Sequence, residues 1–422
     1  MKTIIAVGVF LLFPFLSHAQ VYVEKQTRHR FAQMNVGIDF QRSFGGQTTF
    51  LNSLDIPESM MLSSLQRSRI LIGGTHFWGH ADFYIAIPLY NPKIESQNQE
   101  ISFSSGVETV FKYYPWRIQH RRLSPFLGTS LAPFSFTQDN LNLSEKSGPD
   151  ITRVGLPIVG GLTFNYKSNL LEISVLYNYS SKQNYYLSLY KRAQIQTPPV
   201  YISLSWRMML ETTISAEKDW ESGKTKEITQ VLAEKKKLNG FFVGAGMSSA
   251  WWLGKSRYDV YWNYAIPRNG ISVMPDLALG YYLHKPDINF SASFRSYSYK
   301  SDTYGVNQKS VRQSVALEAT KYLFDYHGFA PFAGPVVSFE NLTFEEKYKN
   351  TVVTEIQNQL PGYGLTFGWD IRPNRLQSFL LRTNLRYFPR LLLNENPNNY
   401  SVNFRNIEFN FIQLIIFPGR MF

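Results

Sequence analysis

The sequence predicts an all-β protein, a transmembrane antiparallel β-barrel of about 16 strands arranged as two sets of eight. Three observations predict it. Apolar and polar residues alternate over segments of about ten residues, long polar connections alternate with short turns, and aromatic residues make up 16% of the chain. Beyond the first 19 residues the chain has no apolar run long enough for a transmembrane helix. Strands that point alternate side chains to lipid and to the lumen explain all three observations.

The chain begins with a predicted signal peptide, residues 1–19. Lys2 precedes an apolar run that ends at Leu16, and the small residue Ala19 stands before Gln20. The apolar run is shorter than the roughly 20 residues that span a bilayer as a helix, which disfavours an N-terminal anchor. We expect cleavage after Ala19, export through the Sec pathway and a periplasmic segment at 20–30. The Ala-Gln junction resembles those common in Bacteroidota.

Composition excludes several classes of protein. The chain has no cysteine, so it has no lipid-modified cysteine, disulfide framework or thiolate site. Its formal net charge of +12 would suit contact with lipopolysaccharide phosphates or an anion preference in a pore, and a diffusely basic set of loops explains it equally well. No basic tract interleaved with aromatic residues indicates nucleic acid as a partner.

Alternation sorts the strand residues into lipid-facing and lumen-facing sets. In the segment 34–41 the even residues are apolar and the odd ones polar or small, and segments 171–179, 288–295 and 378–387 alternate similarly. Leu380 and Thr383 break the pattern. A charge on the lipid face costs about 2–4 kcal/mol at the bilayer midplane, so charged strand residues should face the lumen. These predicted lumen charges are Asp39, Glu108, Arg153, Glu172, Arg295, Glu318, Arg382 and Arg386.

Two interpretations of these charges stay open. In a narrow barrel they must pair, because an unpaired buried charge costs several kcal/mol. In a wide, hydrated barrel they would line a pore and bias which ions pass. Near the strand ends, a second set of residues is expected to form an aromatic belt at the headgroup boundary. It consists of Tyr113, Tyr114, Trp116, Tyr281, Tyr282, Trp369, Tyr387 and Phe388.

Eight long connections between the strands imply sixteen strands. Such connections are typical of the extracellular side of an outer-membrane barrel, whereas short turns face the periplasm. A C-terminal Phe422 is similar to the assembly signal of bacterial outer-membrane barrels. The long connections span roughly 45–66, 91–98, 139–151, 183–197, 253–268, 300–311, 345–358 and 391–405.

The two halves of the chain resemble each other. Gly106–Phe136 is similar to Val315–Phe344, with Glu108 matched to Glu318, and a Gly-Leu-Thr-Phe segment occurs in both halves at 161–164 and 364–367. These matches occur in the same order at offsets near 205. We infer two diverged halves of eight strands each. Each half resembles the OmpA/OmpX-type eight-stranded barrel of Bacteroidota outer-membrane proteins, and this resemblance implies a fold and a membrane without implying one activity.

The predicted domains are the first barrel half at 31–213, a charged periplasmic linker at 214–237 and the second barrel half at 238–422. The linker contains KEITQVLAEKKK and lacks alternation, which indicates a short helix or a flexible tether. Two architectures fit this division. A single sixteen-stranded barrel would have a lumen wide enough for water, whereas two tandem eight-stranded barrels would each be filled by side chains. The single barrel is favoured because one chain usually closes one sheet.

No catalytic, cofactor or metal site is predicted. Histidines such as His80 and His120 fall in short turns, away from the outer rim where a barrel enzyme would need its general base. We therefore expect a structural or accessory subunit of an outer-membrane complex, with a porin-like passive channel as the alternative and an outer-membrane enzyme as a minor one. The expected location is the outer membrane of a Gram-negative-type cell. Expected partners are outer-membrane lipid, lipopolysaccharide, and outer-membrane or periplasmic proteins.

Overall fold

The computed structural model describes most of the chain after the predicted signal peptide. Four parts of the chain that carry sequence predictions lie outside the described residues: the signal peptide, the segment 20–30, linker residues 214–222 and Phe422. The described ranges are 31–52, 54–96, 98–141, 150–188, 191–211, 223–254, 256–262, 266, 271–372, 378–394 and 401–421.

Strands dominate the first half of the chain. A short 3-10 helix at Phe77–Gly79 follows the fourth of them. In chain order the strands are β1 (Ala32–Phe44), β2 (Gln47–Leu51), β3 (Pro57–Met61), β4 (Gln66–His76), β5 (Ala81–Pro88), β6 (Lys93–Ser96), β7 (Gln99–Ser105), β8 (Glu108–Tyr113), β9 (Leu123–Asn140), β10 (Asp150–Gly155), β11 (Ile158–Tyr166), β12 (Asn169–Tyr177), β13 (Lys182–Tyr186), β14 (Arg192–Gln196) and β15 (Val200–Glu211).

Helix α1 (Gly223–Glu234) lies in the predicted linker, and helix α2 (Arg257–Trp262) lies in a connection of the second half. A 3-10 helix at Pro418–Arg420 follows the last strand. The strands of the second half are β16 (Gly240–Trp252), β17 (Ile271–Leu283), β18 (Ile288–Thr303), β19 (Val306–Tyr322), β20 (Phe329–Tyr348), β21 (Thr351–Ile371), β22 (Phe379–Phe388), β23 (Leu392–Asn394), β24 (Ser401–Asn403) and β25 (Asn406–Ile416).

Eight strands of the first half close into a barrel. The order around the ring is β1-β4-β5-β8-β9-β11-β12-β15, and β15 returns to pair with β1. Every pairing in this ring is antiparallel. This is expected when the connection between two neighbouring strands begins and ends at the same end of the barrel. We call this ring the first barrel.

The second half closes separately as β16-β17-β18-β19-β20-β21-β22-β25, with β25 paired to β16. The prediction of an all-β, antiparallel 2 × 8 barrel protein is confirmed. Of the two architectures, the favoured single barrel is wrong and the tandem alternative is correct. The reason is that β1 occupies the free edge of β15 and β25 occupies the free edge of β16, so no edge is left to join the halves.

The matched segments of the two halves lie on strands of the same rank. Gly128 is on β9 and Gly334 on β20, the fifth strand of each ring. A Cβ atom on Gly128 would lie 2.1 Å from the Phe111 carbonyl oxygen, and one on Gly334 would lie 1.9 Å from that of Ala319. Both glycines are therefore required by the close approach of the neighbouring strand's backbone.

The first barrel carries a folded β-structure at its long-loop end. The sheet β13-β14-β2-β3 covers an extension formed by β6, β7, β10 and the outer part of β9. The two layers share an apolar core that includes Ile101, Phe136 and Ile195, all at most 1% exposed. We call this two-layered unit the cap. Several predicted long loops of the first half are therefore ordered strands, because their apolar residues bury one another.

Two other predicted loops are hairpins. The segments 300–311 and 345–358 continue the barrel strands outward and end in tight turns at Tyr304-Gly305 and Lys349-Asn350. All four of these turn residues have positive φ, between 46° and 75°, as two-residue hairpin turns require. The sequence predicts loops in these two segments because they are polar. A strand outside the membrane can be polar on both faces, so a polar segment can also form a hairpin.

The break in alternation on β22 also has a structural reason. Leu380 faces inward and packs in an apolar cluster with residues such as Phe242. The partners of β25 shift register at Phe411, a β-bulge whose carbonyl accepts a hydrogen bond from the Thr383 hydroxyl at 2.9 Å. After the bulge, the inward residues of β25 change from even to odd numbers, with Gln413 buried.

The two barrels touch each other at both ends. At the short-turn end, the rings of Trp78 and His327 lie 5.1 Å apart. At the long-loop end, the Tyr304 hydroxyl donates to the Tyr186 carbonyl. Short turns therefore lie beside short turns and long loops beside long loops, so both barrels have the same orientation.

We predict that Gly334→Ala lowers the free energy of unfolding of the second barrel by about 1–3 kcal/mol, because the added methyl group overlaps backbone that cannot move freely. The matched control is Gly240→Ala, where the nearest atom, on Phe417, is 3.8 Å from the added carbon. Urea titration of the refolded protein, followed by its heat-modifiable mobility in SDS gels, gives both midpoints. Equal midpoints for the two variants would contradict the close strand packing.

Candidate functional site: the barrel interiors

The barrels have apolar outer surfaces and charged interiors. On the outside, Phe40 is 56% exposed, Leu204 60% and Leu365 65%, whereas Asp39 inside is 1% exposed. A barrel in water would have the reverse arrangement, with its apolar side chains buried. This outer surface therefore fits the hydrocarbon of a bilayer, and both barrels are transmembrane. Among the described residues, no helix is both long and apolar enough to cross a membrane.

One ion network in the first barrel is centred on Arg69. Its Nε donates to Asp39 Oδ1 at 2.9 Å, and its other nitrogens pair with the second oxygen of Asp39 and with Glu108. Ser203 donates to Asp39 at 2.8 Å, and Ser130 donates to the free oxygen of Glu108 at 2.5 Å. Each carboxylate thus receives both a cation and a hydroxyl donor, which offsets the cost of its burial.

A second network lies nearer the short-turn end of the same barrel. Arg207, fully buried, bridges Asp82 at 2.7 Å and Glu172 at 3.0 Å. Lys112 pairs with the other oxygen of Glu172 at 2.5 Å. The Lys112 ammonium and the Arg207 guanidinium lie 4.5 and 4.7 Å from the centre of the Tyr84 ring, which adds cation–π attraction in a dry environment.

The interior of the second barrel is built around Arg312. Its Nε and Nη2 donate to the two oxygens of Glu340, both at 2.6 Å, in a bidentate pair. Its third nitrogen pairs with Glu408, whose other oxygen accepts from Arg295 at 2.6 Å. Arg295 in turn pairs with Asp276 at 2.5 Å. The chain of ion pairs therefore crosses the lumen from β20 to β17.

Two further pairs extend this network toward the short turns. Arg382 donates to Asp370 through two nitrogens at 2.9 and 3.0 Å, and Arg386 pairs with Glu318. The Arg386 guanidinium also lies 3.8 Å from Glu408, which links the two levels of the network.

Apolar layers close the second barrel above and below these charges. At the long-loop end, helix α2 and the β23–β24 hairpin fold into the mouth, where Leu393, Val402 and Phe404 are fully buried against Phe344 and their neighbours. At the short-turn end, an apolar cluster that includes Phe332 fills the lumen. Among the described residues, buried side chains therefore occupy the second barrel at the level of the charges and at both ends.

The predicted lumen charges lie inside the barrels, with one exception. Asp39, Glu108 and Glu172 are buried in the first barrel and belong to the networks above. Arg153 does not lie in the lumen; it is on β10, which pairs with the outer part of β9 in the cap. The error arose because β10 alternates like a barrel strand. The remaining four, all buried in the second barrel, are Arg295, Glu318, Arg382 and Arg386.

The predicted aromatic belt is wrong at three positions. Tyr114, Tyr282 and Phe388 point into the barrels and are 0%, 5% and 0% exposed. Each belongs to an apolar cluster inside a barrel. All three have even residue numbers, and the even-numbered positions of β8, β17 and β22 face inward. The remaining five belt residues are at least partly exposed: Tyr113, Trp116, Tyr281, Trp369 and Tyr387.

Several central residues of the networks were not predicted from the sequence. Arg312 directly follows the segment 300–311, which the sequence predicts to be a loop. Glu340 lies on β20, where its polar neighbours obscure the period-two pattern. Extending the period-two count outward along β19 would have found Arg312, since the buried residues Gln308, Ser310 and Ser314 share its parity.

Comparisons with known proteins do not assign the chain to a family. No family model matches the sequence, and no curated protein matches it. Among solved structures, Neisserial surface protein A is 16% identical over 42% of this chain and 96% of its own, with a TM-score of 0.27. Ail of Yersinia pestis is 8% identical over 42% and 97%, also at 0.27. An outer membrane channel from Pseudomonas putida F1 is 9% identical over 91% and 95%, at 0.22. At these scores the likenesses carry no argument, and the fold rests on the strand pairing.

We predict that Arg312→Met lowers the free energy of unfolding by about 3–5 kcal/mol, because it leaves Glu340 and Glu408 without their shared cation. Adding Glu340→Gln should recover part of this loss by removing one unpaired charge. The control is Lys93→Met, which breaks an exposed ion pair to Glu100 of 2.7 Å and should leave the urea midpoint unchanged. A midpoint shift no larger for Arg312→Met than for the control would show that the network is not buried.

Proposed function

We propose that the protein is an integral outer-membrane β-barrel protein with two closed barrels, and that it serves as a structural or accessory subunit of an outer-membrane complex. One observation carries the proposal. Arg312 is fully buried between Glu340 and Glu408, within an ion network sealed by apolar layers at both ends of the lumen. Passage of a solute would require these pairs to separate in a low-dielectric interior, which costs several kcal/mol per ion.

The surfaces outside the membrane support an accessory role. The β20–β21 hairpin extends outward from the barrel, and its tip exposes Tyr348, Val352 and Val353 at 49%, 49% and 58%. Helix α1 exposes Ile228 and Val231 at 42% and 46% on the side of the chain that was expected to face the periplasm. We infer that these exposed apolar side chains, which lie away from the lipid belt, contact other proteins.

We further infer how the chain reaches and occupies its membrane. The predicted signal peptide supports export through the Sec pathway, and the apolar belts support outer-membrane lipid and lipopolysaccharide as neighbours. The matched segments lie on strands of equal rank, which supports an origin by duplication of one eight-stranded unit. The repeated segments in the sequence indicate the same origin.

The proposal assigns no enzymatic activity. His80 and His120 are engaged by backbone in short turns. His80 Nδ1 lies 3.0 Å from the Tyr114 carbonyl oxygen, and His120 Nδ1 accepts a hydrogen bond from the Lys167 amide at 3.1 Å. These contacts stabilise turns, and they leave the imidazoles oriented toward the backbone.

We predict that the refolded protein, inserted in a planar lipid bilayer, shows no stable conductance steps. The physical reason is that buried ion pairs cross both lumens and apolar clusters pack beside them, so an ion would have to separate these pairs to pass. Insertion is verified independently by heat-modifiable mobility of the protein recovered from the same vesicles. A general porin reconstituted in parallel shows that the bilayer reports open barrels.

Stable steps of porin size from verified folded protein would sink the closed-barrel proposal and restore the channel alternative. The double change Arg382→Glu with Arg386→Glu separates the two cases further. In an open lumen it would shift ion preference toward cations. In the closed barrel it removes the cations that pair with Asp370 and Glu318 and adds like charges beside them, so it should lower stability without producing conductance.

A further inference from the structure

A pocket lies where the first barrel meets the cap. It is small and partly open to solvent. It is lined by the beginnings of β4, β8 and β15, the ends of β7 and β12, the middle of β9 and the link between β10 and β11. The pocket is therefore a feature of the junction, and neither the barrel nor the cap forms it alone.

Much of the pocket lining is apolar. The rings of Phe103 and Phe134 stack at 5.5 Å between centroids with an interplanar angle of 12°. Pro133, Pro157 and Leu176 complete this apolar lining. Such a surface favours a ligand with a small planar or aliphatic body.

Other parts of the lining present hydrogen-bond donors. Arg67 is held in place by its Nε, which donates to Gln41 Oε1 at 2.5 Å, and by the Tyr201 ring, whose centre lies 4.9 Å from the guanidinium carbon. Among the described residues, Arg67 makes no ion pair, and its two terminal nitrogens have no acceptor. Its orientation is thus fixed while most of its donor capacity is unused.

Neighbouring groups share this lack of acceptors. The buried Gln41 Nε2 has no hydrogen-bond partner among the described residues. Tyr201 and Asn178 line the pocket, and neither the Tyr201 hydroxyl nor the side-chain Nδ2 of Asn178 makes a hydrogen bond to a described residue. In contrast, the one carboxylate in the lining, Glu108, already receives Arg69 and Ser130. The polar side of the pocket therefore has donors in excess and needs an acceptor.

We propose that this pocket binds a small organic carboxylate, whose anionic group pairs with Arg67 and whose apolar body lies against Phe103 and Phe134. A guanidinium presents parallel N–H donors that match the two oxygens of a carboxylate. Because Arg67 is already oriented, little side-chain entropy is lost on binding. The site is independent of whether the barrels conduct, so its test and the conductance test can fail separately.

The test uses benzoate and its neutral isostere benzamide as probes. Isothermal titration of the full refolded protein in detergent, with a detergent-only blank, should show saturable binding of benzoate to one site per chain. Benzamide should bind at least about tenfold more weakly, because it lacks the charge that strengthens the hydrogen bonds of Arg67.

Substitutions locate the site. Arg67→Gln should weaken benzoate binding by about tenfold or more, and Arg67→Lys should recover part of the loss. The matched control is Arg192→Gln in the cap, since Arg192 also lies 4.9 Å over a tyrosine ring, that of Tyr186, but does not line the pocket. It should leave the affinity unchanged.

Three results would overturn the proposal: no saturable benzoate binding, equal affinity for benzoate and benzamide, or equal loss from Arg67→Gln and Arg192→Gln. If Arg67→Gln fails to fold, the comparison of the two probes on the unaltered protein decides alone.

Discussion

The whole structure depends on the pairing of charges inside two narrow barrels. An ion that leaves water for a low-dielectric interior loses several kcal/mol of solvation, and only a close partner restores it. Arg69, Arg207, Arg295 and Arg312 each contact two carboxylates, so every guanidinium holds together strands that are distant along the chain. Removing one of these guanidiniums would leave at least one buried carboxylate without its cation, so the networks tie the strands of each barrel together.

The long-loop ends of the barrels are stabilised by burial of apolar side chains. Long polar connections could remain open coils, yet in this protein apolar residues within them pack into ordered units. In the first barrel they form the cap, and in the second they enter the mouth as helix α2 and the β23–β24 hairpin. Burial of side chains such as Phe136 and Phe404 removes apolar surface from water and so stabilises both units. The pocket at Arg67 exists because a barrel rim and a separately packed cap do not fill the space between them.

Alternation accounts for much of what could be predicted. It identified the sheet class and the direction of residues such as Asp39 and Glu172, because the pleat sends successive side chains to opposite faces. The number of barrel strands followed from the count of long connections. Alternation misled at Arg153, whose strand alternates in the cap, and at Tyr114, whose aromatic ring was assigned to the headgroup boundary although its position faces inward. For Tyr114, the residue type favoured the headgroup boundary, whereas its position in the strand pattern directs the ring into the barrel.

By itself, the sequence determined a membrane-spanning antiparallel barrel in two eight-stranded sets, since period-two patterns and turn chemistry are local properties. Only the tertiary structure decided that the chain closes two barrels. A strand pattern is the same whether β15 pairs with β1 or with β16, and the choice depends on hydrogen bonds between segments far apart in sequence. The partners of each buried charge were undetermined for the same reason. Glu408 meets Arg312 only after the ring has closed, because closure brings the last strand of the second barrel beside its first.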